Sequence, residues 1–575
     1  MFNQIVTAID NCVQNKREFI TCENAYVRES PWPFDKNVKF QIFRQRTTTR
    51  HDINTFHLNS NNHSYKRTSR GNYSRRRSFI NPNFYKEVNK EYLKQIKYLK
   101  NLPIFKTYEG YRLYAVDGLK LAFDNNKELR KDFNVKNRTL KYTQPSEAKF
   151  SAIMDLLNGY IIDAELGDFR QSERELFKIN LKNSMDIIDF EKSIMTLDRG
   201  YVSLELMAWL NELNLYFVQR LKSNTYKAEV NQIKDSDSPI NIKLNSSRLR
   251  GFKDPELKEK YSKELYLKLR LVTVELENGQ KERLLTNIPP KIMTTDQIYH
   301  IYGDRWIIET NYNTLKNRHE IENYTSNTKE NIKQDVYSTV LNYNISMDYY
   351  KVCNKLVNNQ MIKKGKITGN NNEFEYKVDF ANLIRNLKEH LFKMIINPLK
   401  ENITFLTSWI IKESCLEPNK IKKNRRYPRC KVKGSPYSRS YGEMWWKSKQ
   451  KKLMKFLSHR HWKNIRFVNS SYGHDAYNAV VFKNSTGVSI INTTFINCGD
   501  AYSSGAISFE DSSSASIINS TFIRNNGWNG GAVYFENSYG FIMNSIFIGN
   551  SGTCGGAVQF GSGSNGSIVN SSFYE

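Results

Sequence analysis

Four polar side chains recur in "YGDRWIIETNYNTLK" (302–316) at steps of three, four and seven residues: Tyr302, Arg305, Glu309 and Lys316. On an α-helix they fall within an arc about 60° wide. Ile301, Ile308 and Leu315 form a heptad-spaced apolar stripe beside it. Taken alone, an i,i+4 Arg–Glu pair usually lies on a solvated face and contributes a few tenths of a kcal/mol. Two more carboxylates change that balance. Asp117 closes "YRLYAVD" and Asp198 follows "SIMTL", both at the ends of strand-like runs. In α/β sheets, functional groups gather outside the carboxyl ends of strands. Three carboxylates converging there repel one another unless divalent cations neutralise them. An all-oxygen donor set selects Mg²⁺ or Mn²⁺. Two such ions activate water or a 3′-hydroxyl and stabilise the leaving oxygen of a phosphodiester.

The elements that must position these groups follow from periodicity. Tyr111, Leu113, Ala115 and Asp117 alternate onto one face, and Gly118 is expected to end that strand. Residues 159–166, 193–201 and 215–221 read as further strands, and 201–213 reads as a helix. Strand–helix alternation of this kind predicts an α/β core. A charged stretch at 223–283 interrupts it, and "LYLKLRLVTVEL" (265–276) within it predicts a β-hairpin or small sheet. Residues 283–290 resume the core, a single helix over 302–316 follows, and 330–400 are helical. Residues 1–100 are expected to be helical at their edges and irregular between.

The chain of 575 residues carries a formal charge of +28, which points to a polyanionic partner. That charge is uneven. Residues 466–575 hold three bases (Arg466, Lys483, Arg524) and six acids, net −3, so the first 465 residues carry +31. "SYKRTSRGNYSRRRSFINPNFYKEV" (64–88) interleaves Lys66, Arg67, Arg70, Arg75, Arg76 and Arg77 with Tyr65, Tyr73, Phe79 and Phe84. Such a mixture suits phosphates and stacked bases. The seven cysteines are scattered and form no C-x-x-C, which argues against structural zinc and a disulfide framework. The N-terminal residues do not read as a secretory signal and no window reaches a membrane-spanning length of apolar residues. The expected location is the cytoplasm, at the nucleoid.

The spacing Tyr302-x₂-Arg305-x₃-Glu309-x₆-Lys316 resembles the Y-R-E-K signature of the DDE transposases of insertion-sequence family four. "YAVDGLKL" around Asp117 and "TLDRGYVSLELM" around Asp198 are similar to that family's first and second acidic motifs. "FVQRLK" (217–222), "RRRSFINPNFYKEVN" and "RRYPR" (425–429) extend the resemblance over residues 20–430. It implies a ribonuclease-H-like core and an enzyme that cuts DNA at transposon ends and joins them to target DNA. It assigns Asp117, Asp198 and Glu309 as catalytic ligands of Mg²⁺ or Mn²⁺, with two ions expected. Tyr302, Arg305 and Lys316 would grip DNA phosphates, with Arg75, Arg76 and Arg77 contacting DNA upstream. A homodimer is expected when the ends are paired. Relatives can hold a flipped base on an aromatic of the insertion during hairpin formation. No Trp lies between Trp209 and Trp306, so such an aromatic would have to be a tyrosine, Tyr261 or Tyr266.

The sequence then changes character. "VSIINTTFINC", "ASIINSTFIRN", "GFIMNSIFIGN" and "GSIVNSSFYE" repeat one pattern, with Asn at 492, 519, 544 and 570 and Phe at 495, 522, 547 and 573. "GAISF", "GAVYF" and "GAVQF" form a second series. This period predicts a right-handed parallel β-helix with Phe and Ile stacked inside and Asn laddered at the corners. The repeats resemble those of adhesin-like, cell-surface β-helix proteins. Since the sequence stops at "NSSFYE", just after the repeat Phe573, an open last rung is expected. The domains expected are a basic DNA-binding region (1–100), the core (101–222 and 284–400) around a β-rich insertion (223–283), a basic segment and junction (401–465) and the β-helix (466–575). Two other functions fit less of the chain. One is a surface β-helix protein whose gene was invaded by a transposable element. The other is a DNA-binding relic without catalysis.

Overall fold

The computed structural model describes residues 1–45, 47–58, 69–98, 105–124, 126–135, 146–275, 279–367, 374–396, 398–422, 461–463, 466–468, 480–483, 488–498, 505–511 and 514–575. The chain divides into two compact units, Met1–Met444 and Trp445–Glu575. The expected junction at 442–464 and the "RRYPR" segment lie almost wholly outside the described residues.

The first unit opens with helices α1 (Phe2–Gln14), α2 (Phe34–Phe43), α3 (Thr49–Leu58), α4 (Arg70–Arg77) and α5 (Asn83–Gln95). Among the described residues, the stretch expected to be irregular therefore carries three helices, α2 to α4. Its organiser is an aromatic cluster: Trp32 meets Phe40 and Tyr73, each at 5.1 Å between ring centroids, and Phe40 meets Phe56 edge-on at 5.4 Å. Offset and edge-to-face ring contacts add to the area these rings bury. The helices also bury polar groups, such as the Arg44–Asp52 pair at 2.9 Å, and these hide the apolar period in the sequence.

Next come β1 (Arg112–Phe123), the short α6 (Lys127–Asp132), β2 (Ser146–Asp155), β3 (Ile161–Gly167), α7 (Glu173–Asn183), β4 (Ser193–Leu197), α8 (Leu204–Glu212) and β5 (Tyr216–Arg220). The charged stretch supplies α9 (Lys227–Val230), β6 (Asp237–Lys243), α10 (Ser246–Leu249), α11 (Pro255–Ser262), β7 (Tyr266–Glu275) and β8 (Lys281–Thr286). All eight strands form one sheet in the order β3-β2-β1-β4-β5-β8-β7-β6. The centre, β1-β4-β5, is parallel and both flanks are antiparallel. The inserted strands thus widen the main sheet instead of forming a separate one.

Gly118 does not end β1. The strand continues because its second half pairs with β2, from Asp117 opposite Ala152 to Phe123 opposite Ser146. What stops beside Asp117 is the parallel pairing with β4, whose last matched pair is Val116 with Leu197.

The rest of the unit is α12 (Thr295–Asp304), α13 (Trp306–Asn317), the 35-residue α14 (Lys329–Lys363), β9 (Phe374–Lys377), α15 (Phe380–Ile396), α16 (Lys400–Cys415) and β10 (Asn419–Lys422). The single helix expected over 302–316 is instead two, meeting at Arg305. There the amide of Arg305 bonds to the carbonyl of Tyr302 (3.2 Å) and that of Ile308 to Arg305 (3.1 Å), tighter i→i−3 links than an α-helix makes.

In the second unit, strands Val488–Ile491, Ala515–Ile518, Tyr539–Met543 and Asn565–Val569 stack in parallel behind His461–Lys463. Thr494–Ile496, Thr521–Ile523, Ile546–Ile548 and Ser572–Tyr574 do the same behind Arg466–Val468. A third parallel sheet joins Val480–Lys483, Ile507–Glu510, Val533–Glu536 and Val558–Phe560. Phe495, Phe522, Phe547 and Phe573 stack at 4.8–5.1 Å with planes within 5°, the spacing between neighbouring strands. The repeat Asn residues 492, 519, 544 and 570 adopt φ of 47–50° at the turn between two strands, a left-handed conformation that Asn tolerates better than most residues. The side-chain ladder lies elsewhere: Asn525 Nδ2 donates to Asn550 Oδ1 at 2.8 Å.

Candidate active site

The strand β1 brings Asp117 to the point where it parts from β4, and the first residue past β4 is Asp198. The buried amide of Gln219, on β5, donates to the carbonyl of Asp198 at 2.7 Å and fixes the turn. From the other side, the Tyr312 hydroxyl on α13 donates to the carbonyl of Asp117 at 2.7 Å. Neither support is legible in the sequence, since a buried Gln or Tyr looks like any other core position.

The junction between α12 and α13 aims Arg305 inward, where it is 4% exposed. Its guanidinium lies between two carboxylates: Nη2 donates to Glu309 Oε1 at 3.0 Å, and Nη1 stands 3.9 Å from Asp117 Oδ2. The Tyr302 hydroxyl reaches Asp198 Oδ1 at 3.5 Å. The structure therefore brings together Asp117, Asp198, Glu309, Tyr302 and Arg305. Burial raises the Asp117 carboxyl to about 6; the Gly118 amide and Arg305 oppose the rise, while Glu309 and Asp198 add to it. Burial likewise pushes the Tyr302 phenol up to about 12. The Nε of Arg305 is buried with no acceptor among the described residues.

Lys316 does not join this group. Its ammonium donates to the carbonyl of Lys120 (2.8 Å) and to Glu322 (3.1 Å). Glu322 also accepts from the amide of Ala122 (2.8 Å), so this lysine ties α13 to the far half of β1.

No group of three or more His, Cys, Asp or Glu side chains among the described residues is set to hold a metal ion as it stands. The donors nevertheless fit one. Asp117, Asp198 and Glu309 offer only oxygen, and their mutual repulsion is offset by a single guanidinium, the setting in which a hard divalent cation is favoured.

The upstream arginines divide. Arg75 is exposed. Arg76 lies 4.1 Å over the Tyr26 ring and its Nε donates to the carbonyl of Trp32 at 3.4 Å. Arg77 is 1% exposed, pairs with Asp335 at 3.2 Å and donates to Gln334, Thr325 and the carbonyl of Asn331. It is a core residue and not a DNA contact, because three of its four acceptors belong to α14. Tyr73 and Phe84 are also buried and unavailable for stacking. Lys66, Arg67 and Tyr65 lie outside the described residues. Of the two insertion tyrosines, Tyr261 is buried with its hydroxyl on Glu212 (3.0 Å), whereas Tyr266 is 43% exposed.

The carboxylates Asp117 and Asp198 thus stand where the central strands β1 and β4 part, beside a buried arginine. Residues 109–345 match the family model described as "Transposase DDE domain". That domain implies a ribonuclease-H-like α/β core, an enzyme of the transposase class and DNA as partner, and its members generally use divalent metals. No curated protein matches the chain. Among solved structures the chain is similar to the NurA nuclease from Sulfolobus solfataricus, at 11% identity over 52% of this chain and 98% of that one, with a TM-score of 0.19. That likeness is too distant to bear on fold or function. No helix among the described residues is long and apolar enough to cross a membrane.

Proposed function

We propose that the chain is a DNA transposase that cuts at transposon ends and joins them to target DNA. The observation that carries this is the approach of Asp117, Asp198 and Glu309 to one another around Arg305 and Tyr302. Asp117, Asp198 and Glu309 would hold Mg²⁺ or Mn²⁺, two ions by the resemblance to insertion-sequence family four. Bound there, the cations would activate water or a 3′-hydroxyl toward a phosphodiester. Arg305 keeps the carboxylates together, and its spare Nε is suited to a phosphate oxygen. Tyr302 orients Asp198. The rest of the +31 charge of residues 1–465, with Arg75 among its exposed members, would bind DNA outside the cut. Two copies would pair the ends, at the nucleoid.

The domain limits expected from the sequence belong to this proposal. So does a right-handed parallel β-helix at 466–575, which the parallel strands and stacked Phe residues support. With its opposite charge it would add nothing to catalysis, as in a frame where an element's enzyme runs into part of a surface-repeat gene. The test is Asp198→Asn. It should abolish Mg²⁺-dependent cleavage of element-end DNA and leave DNA binding intact. Cleavage at the wild-type rate would overturn the assignment.

A further inference from the structure

We propose that the cavity shared by the end of α2, α14 and α15 is a binding site for one monatomic anion of the chloride class. No residue of the reaction centre lines it, so the inference does not rest on the transposase reading. Arg44 directly follows α2, and its side chain is fully buried. Its Nε donates to Asp52 Oδ2 at 3.0 Å, and its Nη2 stands 2.9 Å from the same oxygen. The Tyr73 phenol also lies beside the guanidinium. Nη1 is buried with no hydrogen-bond acceptor among the described residues. Folded proteins rarely leave a buried donor in that condition, and a bound water or ion is the usual complement.

Arg44 lines a cavity of about 30 Å³ together with Lys388, His319, Thr339, Asn342, Ser346 and apolar side chains of α2 and α15. That space admits a water or one small ion and is too small for a phosphate group. Charge decides between the two guests. Two bases line the cavity and no acid does. Lys388 Nζ donates to the carbonyl of Arg318 at 3.2 Å, with Glu320 4.0 Å away. Each base thus has an acidic partner that is not part of the wall, and the wall itself is positive. The Asn342 amide spends both protons, on the carbonyls of Ile42 (2.6 Å) and Ser338 (3.0 Å). Thr339 and Ser346 give their hydroxyl protons to the carbonyls of Asp335 (2.7 Å) and Asn342 (2.8 Å), so they are left as acceptors for a water. Against those neutral acceptors stand two full positive charges in a largely buried setting, where a charge-assisted bond to an anion is the stronger one. An anion there would join three helices that are far apart in the sequence.

The test uses the full chain, with bromide and chloride as probes. Crystals grown in bromide and measured at the bromine absorption edge should show one anomalous peak within hydrogen-bond reach of Arg44 Nη1. In solution, amide exchange of α2 and α15 should slow several-fold when chloride replaces gluconate at equal ionic strength. Lys388→Met should raise the chloride concentration needed for that protection several-fold, and Arg44→Met should abolish it. Because Arg44→Met also strands Asp52, the Lys388→Met comparison decides if the arginine variant does not fold. A water at the site with no bromine peak would overturn the proposal. A bromine peak with equal exchange in the two salts would mean an adventitious ion only and would overturn it as well. So would full protection of Lys388→Met at the chloride concentration that protects wild type.

Discussion

Burial holds the Asp117 carboxyl near 6, above its ordinary 3.8. The folded chain therefore binds an extra proton between those values. This group favours folding at the low end, and that contribution is lost as pH rises through about 6. Without divalent cations, Asp117→Asn should be more stable than wild type above pH 7, by on the order of 1–3 kcal/mol, with the gap closing toward pH 4. Urea unfolding in EDTA at pH 4.5 and pH 8 measures this. Asp163 is also raised to about 6 by burial, so the difference between the two chains, not either curve alone, isolates Asp117. Added Mg²⁺ should reverse the order by stabilising wild type. Adjacent arginines allow a second contrast. Removing Arg77 strands Asp335 in the interior, so Arg77→Met should cost about 3–5 kcal/mol and leave the salt dependence of DNA binding unchanged. Arg75→Ala should change stability by less than about 0.5 kcal/mol and lower the slope of log affinity against log salt by about one. The reverse pattern would return Arg77 to the DNA surface.

At the level of elements, Lys316 ties the end of α13 to the half of β1 that pairs only with β2. Lys316→Ala should lower stability by about 1 kcal/mol and reduce cleavage. The slope of log affinity against log salt should stay unchanged if its ammonium is fully used by Lys120 and Glu322; a fall of about one would place it on a phosphate. The sequence made some elements plain and concealed others. Asp117 and Asp198 were legible because each follows a run of alternating or continuous apolar residues, and their helix partner because its charges share one arc. The strand β2 is not legible in the sequence, since most of "SEAKFSAIMD" is buried on both faces, which removes the polar alternation that marks a strand. Gly118 reads as a stop in the sequence, yet β1 runs through it because its second half pairs with β2. The break at Arg305 follows Gly303 by two residues, a stop signal that the arc of charges masks. It comes from packing that turns the guanidinium toward Asp117, a tertiary effect that helix periodicity does not contain.

Across the whole molecule, the buried apolar clusters of the two units share no residue: two lie within residues 2–415 and the third within 480–547. Each unit thus has its own core, and the family match ends at residue 345, well inside the first. The charges are opposed as well, +31 before residue 466 and −3 after it, so the second unit gains little from DNA. A chain ending at residue 440 should therefore be at least as active as the full chain in Mg²⁺-dependent cleavage of element-end DNA. Phe522→Ala, which opens a gap in the aromatic stack, should cost about 3–5 kcal/mol in the second unit and leave cleavage unchanged. Loss of cleavage or of end pairing on removing residues 441–575 would instead make the repeats a working part of the enzyme.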